Sequence, residues 1–180
     1  MKKYKKKQYP VENSRCFLEP SPTVLVTSSY KNDRNVMTMG WYTIMEFTPS
    51  LIGCVISSGN YSFELIKKSK ECVINIPTIE LAEKVVAIGN CSGSEVDKFQ
   101  EFNLSTDFGT TVKAPLLTDC YANFECKLYD NKFIGKYNFF IFEIVEALVA
   151  ISPKYPKTIQ YRGDSHFVES GKNIIIPSIK

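Results

Sequence analysis

The chain has 180 residues, 44% of them hydrophobic and 23% charged, which suits one domain with a real core and excludes a wholly disordered chain. Its net charge of +3 comes from the start, where Lys2, Lys3, Lys5, Lys6 and Lys7 crowd into seven residues; the remaining 17 basic residues face 19 acidic ones. The body therefore offers no basic stripe for nucleic acid, and no apolar run is long enough to span a bilayer. Residues 1–10 read as a basic, disordered tail, solvated or drawn to acidic partners, and residues 11–180 as a single domain. No apolar segment of the kind a secretory signal needs follows the lysines, so the expected location is the cytoplasm.

Pro20 and Pro22 mark an extended lead-in to a β-branched strand at Thr23–Thr27. Asn35 to Thr43 reads as a second strand, and Leu51 to Ser57 as a third after the turn Thr48-Pro49-Ser50. Ser58-Gly59-Asn60-Tyr61-Ser62 offers helix caps before a short helix at Phe63–Lys68. Glu71 to Ile76 is a strand stopped by Pro77, and Ile79 to Ile88 is a helix by the spacing of Leu81, Val85 and Ile88. A short helix near Glu95–Phe99 precedes an irregular stretch to Thr118. Cys120 to Tyr129 alternates with period two, and Tyr137 to Ala150 is a long apolar strand, broken in polarity by Glu143 and Glu146. From Tyr155 the chain reads as irregular. The fold class expected is mainly β with short helices, a β-barrel.

Acid–base machinery is sparse. There is no Gly-rich phosphate loop and no nucleophile elbow, and a catalytic triad would have to use the single histidine, His166, in the loop-like run Gly163-Asp164-Ser165-His166-Phe167. The six cysteines, Cys16, Cys54, Cys72, Cys91, Cys120 and Cys126, form no C-x-x-C pair; several sit in apolar runs and read as buried free thiols, not metal ligands. A chain this poor in such groups leaves hard chemistry to a cofactor.

Two stretches look built to hold one. Asn35, Met37, Met39 and Trp41 fall on one side of a strand beside Gly40, which admits close approach. Trp41 is a flat apolar plate with one donor, though ordinary core packing explains it equally. Ser57 to Ser62, before a helix, combines hydroxyls, a glycine and free N–H groups suited to an anion, though simple capping would use the same residues.

In order and spacing, Pro22–Thr27, Asn35–Trp41, Asn60-Tyr61-Ser62, Val73–Pro77, Cys91-Ser92-Gly93, Asp97-Lys98-Phe99, Tyr161-Arg162-Gly163 and Phe167 resemble the flavin-reductase-like FMN-binding split barrels, flavoredoxins above all. The resemblance implies a homodimeric split barrel with FMN near the subunit interface, and an oxidoreductase that passes electrons from NAD(P)H or a redox protein. By the same likeness, Asn35 and Trp41 touch the flavin and Met37, Thr38, Met39 and Gly40 contribute contacts between them. Ser62 falls near the phosphate, Lys98 contacts the cofactor and Phe167 lies near the ring; Ser57, Asn60 and Tyr61, from the anion-suited stretch, complete the expected cofactor-binding set. Where relatives sometimes carry a histidine late in the barrel, this chain has Tyr137 or Asn138. The competing expectation is a split barrel that binds a flavin or another small ligand without catalysis.

Overall fold

The computed structural model describes residues 4–12, 14, 21–163 and 165–177; Lys2, Lys3, Cys16, Pro20 and Asp164 lie outside them. The described chain runs β1 (Lys6–Gln8), β2 (Val24–Tyr30), β3 (Asp33–Met39), β4 (Tyr42–Glu46), β5 (Leu51–Val55), α1 (Tyr61–Ser69) and β6 (Glu71–Ile76). A 3-10 turn (Ile79–Leu81) leads into α2 (Ala82–Gly89), followed by α3 (Lys98–Glu101), β7 (Thr106–Asp107), β8 (Leu116–Leu117), β9 (Ala122–Asp130), α4 (Ile134–Tyr137), β10 (Phe139–Ala150), β11 (Ile159–Gly163) and β12 (His166–Glu169).

One antiparallel sheet in the order β3-β2-β6-β9-β10-β5-β4 forms the barrel wall. Its twelve-residue strand β10 pairs with β9 along one side and with β5 and then β1 along the other. Register shifts at Ile141/Phe142 and Ile144/Glu146 bend it around the core. Alternate residues of the wall meet inside: Val24, Val26, Met37, Ile52, Ile74, Phe124 and Phe142 share one cluster. Phe140 and Phe142 lie parallel with centroids 5.7 Å apart, and Phe63 of α1 meets Phe140 edge-on at 5.3 Å. A second cluster on the outer side joins Leu25 and Val36 to Leu81, Val85 and Ile88 of the 3-10 turn and α2. Strands β2 and β3 are thus covered on both faces, which is why they read as nearly unbroken apolar runs.

Several expectations need correction. The basic start is not a free tail throughout, because Lys6–Gln8 pair with Leu148–Ala150. The Lys6 ammonium donates to Leu117 O at 3.4 Å and to Asn123 Oδ1, so one lysine of the run serves a buried polar cluster. The strand expected at Asn35–Thr43 is two strands. β3 pairs with β2, β4 pairs with β5, and Gly40-Trp41 turns the chain between them. The stretch after Tyr155 contains the hairpin β11–β12, unread because its residues are mostly exposed and lack an apolar face. His166 stands at the exposed start of β12. Cys54, Cys72, Cys120 and Cys126 are buried free thiols; burial pushes Cys54 well up and Cys120 to about 12, and a hydrogen bond with Cys126 followed by burial pushes Cys72 well up, which leaves Cys54, Cys72 and Cys120 protonated and unreactive.

Candidate functional site

A groove of about 440 Å³ runs along β3 between the barrel wall, α2 and the β11–β12 hairpin, within the size range of small-molecule sites. Met37, Thr38, Met39, Gly40 and Trp41 form one side of it, and Ser57, Asn60 and Phe167 also line it. A smaller polar recess of about 180 Å³ continues from it past Asn60 and holds Asn35, Tyr61, Gly93 and Lys98. Met37, Asn60, Gly89 and Asn90 belong to both spaces. From Asn35 to Gly40 the strand spans about 17 Å at ~3.3 Å per residue. The site is long, with one polar and one aromatic end.

The polar end is assembled by three helix termini. Asn60 precedes α1 in an extended conformation and its side chain makes no capping bond. The first helical N–H groups therefore have no capping side chain, and Asn60 and Tyr61 at this end of the helix line the recess. Ser57 Oγ instead accepts from Gly59 N at 3.3 Å, shaping the turn. Lys98 opens α3, whose start is fixed by Asp97 accepting from Phe99 N at 2.9 Å and by the Arg34 guanidinium 4.3 Å above the Phe99 ring. Lys98 is 4% exposed, and its ammonium donates to Ile88 O, near the C-terminal end of α2, at 2.8 Å. An ammonium has three donors, so two remain for the recess. Burial pushes its pKa below the ordinary lysine value, and the nearby Cys91 sulfur partly offsets this.

Gly93 keeps the recess open. A Cβ there would fall 2.2 Å from Asn35 Oδ1 and 2.9 Å from the Tyr61 ring. Tyr61 is itself tied by its hydroxyl to Asp33. Ser62 departs from expectation. It is fully buried, 2.9 Å from Asn35 Nδ2 and 3.2 Å from Ser28 Oγ, and it lines neither space. It orients Asn35, which the spacing alone could not distinguish from a direct ligand contact. Tyr137 and Asn138 also stand apart from the groove.

At the aromatic end, Trp41 is 75% exposed and so is not core packing. Met37 and Met39, by contrast, are buried in the main cluster and only edge the groove. Thr38 is fixed by donating to Val85 O at 2.6 Å, which locks α2 against β3. A Cβ on Gly40 would meet nothing within 4 Å, leaving this rim open. Tyr161 and Phe167, their ring centroids 5.0 Å apart, line the same groove. Thr23, Gly93 and Tyr161 are lining residues absent from the expected set; all three lie within the motifs that carry the resemblance, but nothing in those motifs marks them as facing a ligand.

The model of the flavin reductase like domain matches residues 16–165. The chain belongs to this family. An uncharacterized protein of Archaeoglobus fulgidus is 34% identical over 135 residues, covering 75% of this chain and 76% of that protein. Among solved structures, an FMN-binding domain of a flavin reductases-like enzyme from Shewanella baltica superposes with a TM-score of 0.90 at 20% identity, covering 98% and 100% of the two chains. The flavoredoxin of Desulfovibrio vulgaris gives 0.78 at 23% identity, with 87% and 90% covered. The fold is thus the split barrel shared by FMN-binding proteins, mostly β with short helices.

The residues present suit FMN. A buried cation, uncapped helix N–H groups and a recess held open by glycine match a phosphate of about two negative charges, and a groove lined by an exposed tryptophan and two further aromatic side chains matches a flat ring.

Proposed function

We propose that this member of the flavin-reductase-like family is an FMN-dependent oxidoreductase, with the phosphate at Lys98 and the ring between Trp41 and Phe167. The observation that carries the reading is the two-ended groove: a nearly buried ammonium with two donors to spare at one end and an open aromatic clamp at the other. Bound FMN would supply acceptance and release of electrons, as hydride or singly.

The chain's own residues then bind and orient. Lys98, Asn60 and the start of α1 hold the anion, Asn35 is aimed by Ser62, and Trp41, Tyr161 and Phe167 shield the ring from water. No side chain need act as nucleophile or general base. Electrons come from NAD(P)H or a redox protein, and an adjoining apolar cleft of about 570 Å³ beyond Phe167, between α2 and the hairpin, gives the donor room to approach. We further propose a homodimer. The exposed Trp41, Met45 and Phe47 lie beside or on the edge strand β4, an apolar edge of the kind a second subunit covers.

The test is stopped-flow mixing of the FMN-loaded protein with NADH or NADPH. Bleaching of bound FMN by either nucleotide supports a reductase. If dithionite bleaches it and neither nucleotide does, a carrier fed by a protein donor is favoured. Protein that takes up no FMN overturns the reading.

A further inference from the structure

Thr23 sits where β2 begins, its N–H donating to Ile159 O at 2.8 Å and so tying the β11–β12 hairpin to the barrel. The residue is 3% exposed, and its hydroxyl has no hydrogen-bond partner among the described residues. Buried hydroxyls are nearly always paired, and an unpaired one is costly. Thr23 also lines the groove at its aromatic end, with Gly40, Trp41, Tyr161 and Phe167. The neighbouring pair Val24–Met39 fixes the register that brings it beside Gly40. Gly40 leaves its side of the rim open. A threonine hydroxyl and methyl exchange places by one rotation about χ1, so the groove is the side from which a partner can arrive.

We propose that Thr23 is a ring-contacting residue, its hydroxyl hydrogen-bonding a polar atom on the edge of the bound isoalloxazine. This inference rests on the flavin reading of the groove and adds a contact that belongs to the ring, not the phosphate. The hydroxyl is unsatisfied until the ring arrives, so it disfavours the empty protein and favours the loaded one. That opposite pair of effects distinguishes it from a packing residue.

The experiment compares Thr23→Val and Thr23→Ser with the unsubstituted protein, titrating each with FMN and with riboflavin, which shares the ring but lacks the phosphate. Thr23→Val is expected to weaken both ligands alike, by roughly two- to tenfold for one hydrogen bond, and to shift the visible flavin bands. The Tm of its flavin-free form should hold or rise. Thr23→Ser should restore affinity and bands. Unchanged affinity and spectrum in Thr23→Val, with the unsubstituted protein still binding FMN, overturns the Thr23 assignment alone. A loss confined to FMN overturns it as well, by moving Thr23 to the phosphate. If the unsubstituted protein binds neither ligand, the flavin reading fails and takes this inference with it.

Discussion

Among the described residues three charged side chains are almost completely buried, Lys98, Asp119 and Glu125, and the first and last of these are treated in opposite ways. Glu125 on β9 is 0% exposed and accepts from Thr110 N at 3.0 Å, Thr111 N at 2.7 Å and Val112 N at 2.8 Å. Gly109 lets this loop close over the carboxylate, since a Cβ there would lie 2.5 Å from Glu125 Oε2. Lys98 is 4% exposed and has a single acceptor among the described residues, Ile88 O. Burying a charge is costly unless it is paired and hydrogen-bonded. Glu125 is answered within its own fold and holds the 109–112 loop to the barrel. Lys98 is answered in part, at the wall of an open recess. The first is a structural device. The second leaves donors for an anion from outside.

The difference can be broken first at the structural end. Glu125→Ala removes the acceptor of three N–H groups, of which that of Val112 is buried and those of Thr110 and Thr111 are partly so, and loss of about 2–3 kcal/mol of stability in urea denaturation is expected from leaving them without it. A loss under 1 kcal/mol would mean water or relaxation replaces the carboxylate. Lys98→Met should instead cost little stability and weaken FMN by roughly 10- to 100-fold, the worth of a charged hydrogen bond of about 1.5–3 kcal/mol. The pH dependence sharpens the point. Burial lowers the Lys98 pKa, so the free site loses its charge at lower pH than an ordinary lysine. FMN affinity should fall as pH rises through that lowered value, and Lys98→Met should remove this dependence.

Lys6 supplies a comparison free of any ligand. Burial lowers it to about 8, although Cys120 and Asp119 pull the other way. Between pH 8 and the ordinary lysine value the unfolded chain binds more protons than the folded one, so stability should rise with pH there, by up to about 1.4 kcal/mol per unit. A flat profile, or one unchanged in Lys6→Met, would contradict this burial. The smallest effect is expected at the aromatic end. Trp41→Ala should weaken FMN by several-fold, following about 0.5–1.5 kcal/mol for an aromatic pair. Tyr129→Ala, also exposed but outside the groove, should leave FMN binding unchanged. Equal effects would remove Trp41 from the site.

The same contrast governs what the sequence made legible. β6 could be read to the residue because Pro77 stops a β-branched run, and β9 to within two residues because Ala122, Phe124, Cys126 and Leu128 give it one apolar face. The break at Gly40-Trp41 was hidden because the apolar run continues across it, although the strands on either side pair with different partners. The β11–β12 hairpin and β1 were missed because neither pattern has an apolar face; the hairpin's partner is itself, and β1 borrows the end of β10. At the candidate site, the segments around Asn35–Trp41, Asn60 and Lys98 were recognisable by order and spacing, and they do converge on one groove. Spacing could not tell a hydroxyl facing the ligand from one facing a neighbour, so Ser62 was overestimated and Thr23 overlooked.

The account rests on a groove with an anionic-ligand end at Lys98 and a ring end at Trp41. Its most direct test is the ratio of the riboflavin to the FMN dissociation constant, measured by flavin fluorescence in the unsubstituted protein and in Lys98→Met. The account predicts a strong preference for FMN that shrinks by at least about tenfold in the variant while riboflavin affinity is unchanged. An unaltered ratio, or an equal loss of both ligands, would contradict it.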